Sequence, residues 1–282
     1  MSPQTLSAAI DALASAGCQP DKWSWIDEGD AADIAFASNA KAARSALDGV
    51  FVGVDVVVQP SNQREKRLLV ADMDSTMITV ECIDELADYA GIKPQIAEIT
   101  EAAMRGELDF AAALDARVAL LKGLDAAAIE QCRNERVRLM PGARTLVRTM
   151  RSRGATTVLV SGGFTAFAEP VAAEIGFDRA IANILEVDDG RLAGTVMKPI
   201  VDSATKEQTL RETRLTLGIP DDLTLAVGDG ANDLAMINIA GLGVAYHAKP
   251  VVAAAAAARI DHNDLTALLW AQGIGRSAWV TS

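Results

Sequence analysis

Residues 67–76 read RLLVADMDST, a short apolar run that ends in an acidic, hydroxyl-rich turn. This pattern is typical of a buried strand whose carboxyl end carries the polar side chains of a ligand site. The pattern recurs at 155–160 (ATTVLV), which leads into SGGF, and at 224–228 (TLAVG), which leads into DGAND. The three segments therefore predict three strands of one sheet.

Helical segments lie between these strands, for example at 143–152 and 206–217. Alternating strands and helices predict an α/β core, a Rossmann-like parallel sheet with right-handed crossovers. In such a sheet the ligand binds outside the carboxyl ends of the strands, so the polar loops should converge there. The insertion at 77–140 reads as helical throughout, which predicts a cap that covers the first loop and controls access of water.

The N-terminal part of the chain follows a different pattern. Helical spacing at 5–17 and 39–48, strand-like segments at 23–26 and 33–37, and the apolar run FVGVDVVVQ at 51–59 predict a small α+β module of order α-β-β-α-β. The polar stretch after it reads as a linker. The predicted domains are the N-terminal module (1–63), the core (64–76 and 141–282) and the helical cap (77–140).

Composition narrows the class of partner. The formal net charge is −12, which argues against nucleic acid and against an anionic membrane, because both require basic surface. No apolar run approaches the roughly 20 residues of a membrane span, and residues 1–16 lack the blocks of a signal peptide, so the cytoplasm is the expected location. Three scattered cysteines and two histidines argue against a disulfide framework and against a zinc site.

The acidic turn places Asp72 and Asp74 on either side of Met73. Carboxylates at the end of a buried strand are costly unless a cation compensates them, and magnesium prefers carboxylate and carbonyl oxygens. Asp229 or Asp233, in the GDGAND loop, would complete such a site. The alternative is a plain acidic turn or a helix N-cap, because Asp, Ser and Thr are all good caps. The turn alone leaves both interpretations open.

The other loops carry groups that suit a phosphate. Ser161-Gly162-Gly163 offers a hydroxyl and unhindered N–H groups at the start of a helix, a cradle for an anion. A simple strand-to-helix turn has the same composition. Lys206 opens the helix before the third strand and would supply a cation, although most single lysines are solvated. The DGAND loop also reads as a glycine-rich turn.

Taken in order, DxDST, SGG, Lys206 and GDGxND resemble the motifs of the haloacid-dehalogenase superfamily of phosphatases. The stretches DMDSTMITVECIDELA, VSGGFT and VGDGANDLAMI, together with the helical cap, resemble more closely the branch that hydrolyses phosphoserine. This resemblance covers about residues 64–275. It implies a magnesium-dependent phosphoric monoester hydrolase that converts O-phospho-L-serine to L-serine and phosphate, the last step of L-serine biosynthesis.

The resemblance also implies catalytic and metal-binding roles. Asp72 would be the nucleophile that forms an aspartyl-phosphate. Asp74 would be the general acid that protonates the serine oxygen and then the base that activates water. Magnesium would bind Asp72, the backbone carbonyl of Asp74, and Asp229. Asp233 would contact these ligands without binding the ion itself.

Substrate binding is implied in the same way. The phosphoryl oxygens would be held by Ser161, Gly162, Lys206 and Asn232. Glu81 would bind the substrate ammonium and Arg117 its carboxylate, which suits the planar guanidinium fork, and Phe110 would shield the site from water. Without the resemblance, Arg117 reads as an exposed helix arginine.

Two questions stay open from the sequence. Members of the family often carry an N-terminal ACT module, a βαββαβ fold, but residues 5–59 have no obvious first strand, so this ACT-like module is degenerate. This departure argues against ligand binding by the N-terminal module. Its expected role is packing or formation of a homodimer. The alternatives to hydrolysis of phosphoserine are a phosphatase or phosphotransferase for another small phospho-ester, and a non-catalytic amino-acid sensor.

Overall fold

The computed structural model describes residues 1–104 and 107–281. The strands, in chain order, are β1 (Pro20–Asp27), β2 (Ala31–Phe36), β3 (Leu68–Ala71), β4 (Thr156–Phe164), β5 (Arg179–Asn183), β6 (Leu185–Asp188), β7 (Arg191–Val196), β8 (Thr224–Gly228), β9 (Leu242–Tyr246) and β10 (Ala258–Ile260). The helices are α1 (Pro3–Ser15), α2 (Ala40–Leu47), α3 (Cys82–Tyr89), α4 (Lys93–Met104), α5 (Phe110–Ala119), α6 (Ala127–Arg136), α7 (Ala143–Ser152), α8 (Thr165–Ile175), α9 (Ser203–Leu217), α10 (Leu234–Ile239), α11 (Pro250–Ala255) and α12 (Ala267–Ala271).

The core is a six-stranded sheet with the order β10-β9-β8-β3-β4-β5. Every pair of neighbours in it is parallel, which confirms the predicted Rossmann-like α/β fold. The chain builds outward from β3 in one direction through β4 and β5, then returns to the other side through β8, β9 and β10. The strand order therefore reverses at β3, and a crevice opens at its carboxyl end.

Strand β3 is apolar because both of its faces are covered. Leu69 and Ala71 pack into the core on one side of the sheet, and Leu68 and Val70 pack into the core on the other side. All four side chains are fully buried, and each large one contributes roughly 1.5–3 kcal/mol through burial. This packing fixes the position of the acidic turn that follows the strand.

Helices α3 to α6 lie between β3 and α7 and form the insertion that the sequence predicts as a cap. The loop between α5 and α6 pairs with the β6–β7 hairpin through backbone bonds from Gly123 N to Leu192 O (2.8 Å) and from Leu192 N to Leu124 O (2.9 Å). A Lys198–Asp115 ion pair of 2.7 Å adds a side-chain contact to the same face. The insertion is thus held against the core at a second place, far from its two ends in sequence.

The hairpin has a close backbone contact with the cap at Gly194. This glycine has a φ of +85°, and a Cβ placed on it would lie 2.9 Å from the Cβ of Lys122. A side chain at this position would therefore push against Lys122 Cβ, which is bonded directly to the cap backbone and cannot swing aside as a flexible side-chain tip would.

The N-terminal part corrects one prediction. Strands β1 and β2 correspond to the two predicted strand-like segments, and they form an antiparallel pair packed with α1 and α2. Residues 51–59, all within the described part of the chain, form no strand. Four of their apolar side chains are instead partly buried: Phe51, Val56 and Val58 against the N-terminal core, and Val57 against the main core. Val52 is fully exposed. Burial without a ladder partner satisfies the apolar pattern, so the predicted third strand of the module was wrong.

Asp55, in the same segment, binds the loop after β10. Its carboxylate accepts hydrogen bonds from the backbone N–H groups of Asp261 (2.7 Å) and Asn263 (2.9 Å) and from the side-chain amide of Asn263 (2.8 Å). The segment 51–59 is therefore attached to the core by charge-assisted hydrogen bonds as well as by apolar packing. Among the described residues, each helix is too short or too polar to cross a bilayer.

Candidate active site

Asp72 is the first residue after β3 and stands at the point where the strand order reverses. Its N–H donates to Val227 O of β8 at 3.0 Å, which continues the ladder by one residue. Its side chain is only 7% exposed. Lys206 Nζ donates to Asp72 Oδ1 at 2.5 Å and to Asp233 Oδ1 at 2.7 Å. The lysine predicted as a solvated or phosphate-binding group thus bridges two buried carboxylates.

The local structure of α9 explains where Lys206 lies. Asp202 caps the helix by accepting from Thr205 N at 2.9 Å, so Lys206 falls in the first turn, and its N–H donates to Asp202 O. Its side chain is fully buried against the end of β3. A buried ammonium is tolerated there because both of its carboxylate partners lie within hydrogen-bonding distance.

Lys206, Asp72 and Asp233 are close enough for their charges to shift the pKa of Lys206 and of Asp72. Burial would lower the pKa of Lys206, but Asp72 and Asp233 outweigh burial and raise it, so the amine is charged. Burial, followed by the charge of Asp233, raises the pKa of Asp72 well above its usual range, although Lys206 opposes the shift. One lysine does not compensate two carboxylates, and a further cation would favour the ionised form of Asp72.

Asp229 joins the same group from the loop after β8. Oxygen atoms of Asp72, Asp229 and Asp233 all lie within 4.8 Å of one another. Thr76 Oγ1 donates to Asp229 Oδ1 at 3.4 Å. Burial, and then the charge of Glu81, raise the pKa of Asp229 to about 6. Such a group of carboxylate oxygens with unfavourable mutual repulsion fits a divalent metal ion.

The GDGAND loop is shaped around Asp233. Its Oδ2 accepts from Gly230 N at 3.0 Å, and its side chain lies so close to Gly228 that a Cβ there would overlap it. Asn232 contacts Gly230 in the same way. The two glycines are therefore needed because the Asp233 and Asn232 side chains fold back over the backbone.

Asp74 is held by the cap and by the neighbouring strand. Its Oδ1 accepts from Cys82 N, the first N–H of α3, at 3.0 Å, and its Oδ2 accepts from Ser161 Oγ at 3.3 Å. Burial, and then the charge of Glu81, raise the pKa of Asp74 to about 6. A carboxyl group with this pKa takes up and releases protons near neutral pH.

The SGG segment lies at the end of β4, and α8 begins only at Thr165. The predicted place at the start of the helix is therefore wrong, because β4 remains extended through Phe164. Gly163 N donates to Ser161 Oγ at 2.8 Å, and a Cβ on Gly163 would lie 2.8 Å from Asp74 Oδ2. Only glycine allows the strand to pass so close to that carboxylate.

Phe110 and Asn183 both contact Gly162. A Cβ on Gly162 would lie 3.0 Å from the Phe110 ring, so the first residue of α5 covers the cradle. The buried side chain of Asn183 donates to Gly162 O at 2.8 Å and accepts from Val201 N at 2.7 Å. These contacts fix the orientation of the Gly162 peptide.

The two residues predicted to recognise the amino-acid part of a substrate lie beside Asp74. Glu81 is the N-cap residue of α3, and its Oε1 accepts from Ser75 Oγ at 2.7 Å. Arg117 is half-buried in α5, and its Nε donates to Ala113 O at 3.2 Å. Burial lowers the pKa of Arg117, while Asp84, Glu81 and Asp74 oppose the shift.

The structure thus brings the predicted residues of the core loops together and places the predicted cap residues next to them. Sequence reasoning missed Thr76, Ser75, Cys82 and Asn183. Thr76 and Ser75 belong to the quoted motif and were not assigned contacts. The backbone N–H of Cys82 and the buried amide of Asn183 have no signal in a single sequence.

These observations define a class of protein: a capped Rossmann-like α/β protein with a carboxylate-rich, metal-type site at the carboxyl ends of its parallel strands. The chain belongs to the haloacid dehalogenase-like hydrolase family, whose model matches residues 69–238. The family resemblance of the sequence motifs is thereby confirmed.

Individual relatives carry more specific names. The chain is 48% identical to the phosphoserine phosphatase of Streptomyces coelicolor over 233 residues, 82% of this chain and 57% of that protein. The fold is similar to a probable phosphoserine phosphatase of Vibrio cholerae, unliganded (TM-score 0.73, 35% identity, 88% of this chain and 77% of that one). It is also similar to a phospho-aspartyl intermediate analogue of phosphoserine phosphatase (TM-score 0.68, 37% identity, 73% of this chain and 98% of that one). The chain spans 55–64% of the length of the first curated relatives that it matches.

Proposed function

We propose that this chain is a phosphoserine phosphatase, which hydrolyses O-phospho-L-serine to L-serine and phosphate as the last step of L-serine biosynthesis. One observation carries the proposal: Asp72 and Asp74 are adjacent in space but have different surroundings. Asp72 is paired with the ammonium of Lys206, as a nucleophile requires. Asp74 has a pKa of about 6, as a general acid and base requires. The names of the relatives support the same assignment.

Magnesium is the proposed cofactor. The ligands would be the carboxylates of Asp72 and Asp229 and the backbone carbonyl of Asp74, with Asp233 beside them and paired to Lys206. All of these are hard oxygen donors, the kind that magnesium prefers. The bound ion would supply positive charge that offsets the charge of the phosphoryl oxygens and favours the ionised carboxylate of Asp72.

The reaction follows from the two carboxylates. An oxygen of Asp72 attacks phosphorus, the bond from phosphorus to the serine oxygen breaks, and Asp74 gives its proton to that oxygen, so that L-serine leaves. Asp74, now ionised, takes a proton from water as this water attacks the phosphorus of the aspartyl-phosphate. The bond to Asp72 breaks, phosphate leaves, and both carboxylates return to their starting state.

The remaining site residues bind the substrate. Ser161, Gly162 and Lys206, with Asn232 nearby, would hold the phosphoryl oxygens by hydrogen bonds and charge. Glu81 would receive the substrate ammonium and Arg117 its carboxylate. Phe110 covers Gly162 and would exclude bulk water from the reacting group.

The same proposal extends to the organisation of the chain. The core comprises 64–76 and 141–282, the cap 77–140, and the N-terminal module 1–63. We propose a cytoplasmic enzyme whose partner is its small substrate, without nucleic acid or membrane, and with the N-terminal module available for a homodimer contact.

The test is phosphate release from phosphoserine, phosphothreonine, sugar phosphates and p-nitrophenyl phosphate, each with magnesium and with EDTA. The expected result is a clear preference for phosphoserine that requires the metal ion. Equal turnover of sugar phosphates would refute the proposed substrate. An Asp72→Asn variant that still released phosphate would refute the proposed nucleophile.

A further inference from the structure

The Glu81 carboxylate is held by a residue of the nucleophile loop. Ser75 Oγ and Glu81 Oε1 are 2.7 Å apart, and since a carboxylate only accepts, the serine hydroxyl is the donor. The distance is that of a short, charge-assisted hydrogen bond. Among the described residues, the Glu81 carboxylate is hydrogen-bonded through Oε1, and Oε2 can accept from a second donor.

Ser75 itself is rigidly placed. Its φ is +55°, the left-handed region that few residues other than glycine adopt. The backbone is kept there because Ser75 N donates to Val80 O at 3.3 Å, and because Met73 O accepts from the N–H groups of Thr76, Met77 and Ile78. The hydroxyl therefore reaches Glu81 from a fixed point on the loop that carries Asp72 and Asp74.

Glu81 has no comparable support from its own helix. It is the N-cap residue of α3, but in the described first turn of α3 its side chain does not cap the helix. Its side chain is exposed, and a free glutamate loses considerable rotamer entropy when a ligand orders it. The hydrogen bond to Ser75 already restricts the Glu81 side chain, so ligand binding costs less rotamer entropy.

The charge of Glu81 acts on the whole site. It is among the causes that raise the pKa of both Asp74 and Asp229. It also opposes the lowering of the Arg117 pKa by burial. The carboxylate therefore lies close to the reacting groups, and a rotation away from Ser75 would move its charge relative to all of them.

We infer that Ser75 is a positioning residue for substrate specificity: its hydroxyl holds Glu81 so that the second oxygen of Glu81 receives the ammonium group of an amino-acid phosphate. The inference rests on the proposed function, and it deepens that function by tying substrate selection to the nucleophile loop. Ser75 fixes the distance between the ammonium site and the phosphorus that Asp72 attacks.

The experiment compares Ser75→Ala and Ser75→Gly, each in the wild-type and in a Glu81→Ala background. The Gly variant tolerates positive φ, so an effect that it shares with Ser75→Ala comes from the lost hydroxyl rather than from backbone strain. The readout is the ratio of kcat/KM for phosphoserine to that for p-nitrophenyl phosphate, which has no ammonium group. Thermal unfolding of each variant checks that the fold is retained.

With Glu81 present, both variants are expected to lower this ratio on the order of tenfold, mainly through KM for phosphoserine. In the Glu81→Ala background neither should lower it further, because a residue that acts only through Glu81 shows complete coupling. Equal losses in both backgrounds, or an unchanged ratio in the first, would overturn the inference alone. A wild-type enzyme without preference for phosphoserine would overturn the proposed function and this inference with it.

Discussion

Replacement of Lys206 by methionine tests the electrostatics of the site directly. The lysine is fully buried and forms ion pairs of 2.5 Å with Asp72 and 2.7 Å with Asp233, both of which are also buried. Methionine keeps much of the volume and removes the charge. The variant therefore leaves two neighbouring carboxylates without their shared cation.

Removal of one partner from a buried ion pair typically costs about 3–5 kcal/mol, and the same range is expected here in EDTA. This is a large part of a total stability of about 5–15 kcal/mol. The loss should also depend on pH. The pKa of Asp72 is already raised in the folded protein and rises further without Lys206, so a protonated carboxyl is tolerated at low pH. The loss is therefore small near pH 4 and grows as pH rises above the ordinary pKa of aspartate.

The assay is urea unfolding of wild type and variant at pH 5 and pH 8, with EDTA and with magnesium. Magnesium should stabilise Lys206→Met more than wild type, because the site then carries one more uncompensated negative charge; binding at 100 times Kd would add about 2.7 kcal/mol. The exposed Lys22 provides the control, since Lys22→Met makes the same change in net charge. Equal stability of Lys206→Met and Lys22→Met in EDTA at pH 8 would refute the reasoning.

Three further predictions concern the site and the cap. Asp72→Asn should lose at least a thousandfold in turnover with an unfolding transition close to that of wild type; steady-state phosphate release and circular dichroism decide this. Arg117→Ala should raise KM for phosphoserine by roughly tenfold or more and affect p-nitrophenyl phosphate far less, whereas equal losses would indicate a packing role. Gly194→Ala should cost roughly 1–3 kcal/mol more than Gly190→Ala: both glycines have positive φ, but only a Cβ on Gly194 meets the cap, at 2.9 Å from Lys122. Urea unfolding that shows equal losses would contradict the close contact.

The strands next to the site were predictable because their residues are buried on both faces. The apolar runs before Asp72, Ser161 and Asp229 correspond to β3, β4 and β8. Polar residues follow each run, in loops after β3 and β8 and within the last residues of β4 itself. Strand β10 has only three residues, Ala258–Ile260, and is too short to leave a pattern. The apolar run 51–59 showed the reverse error: its burial comes from packing between two cores, which a sequence cannot distinguish from burial in a sheet.

The candidate site was predictable as a set of residue types and less so as a set of contacts. Asp72, Lys206 and Asp233 were each identified, but the bridging position of the lysine between the two carboxylates depends on how α9 packs against β3. The Cys82 N–H that reaches Asp74 is a backbone group, so any residue at that position would supply it. Contacts of this kind follow from the fold and leave no trace in composition.

The anchoring of Asp55 bears on how the chain could be shortened. A version that started at the linker, after residue 63, would lack the acceptor for the amides of Asp261 and Asn263 and would uncover the part of the core where Val57 packs. Residues before 51 hold the same edge, because Asp48 pairs with Arg259 of β10 at 2.9 Å and Arg44 donates to Ala256 O. The earlier part of the N-terminal region is bonded to the core as well, since Asp27 accepts from Trp270 Nε1 at 2.6 Å. Removal of either part would therefore leave polar groups of the core without their partners, and the region cannot be exchanged as a separate unit.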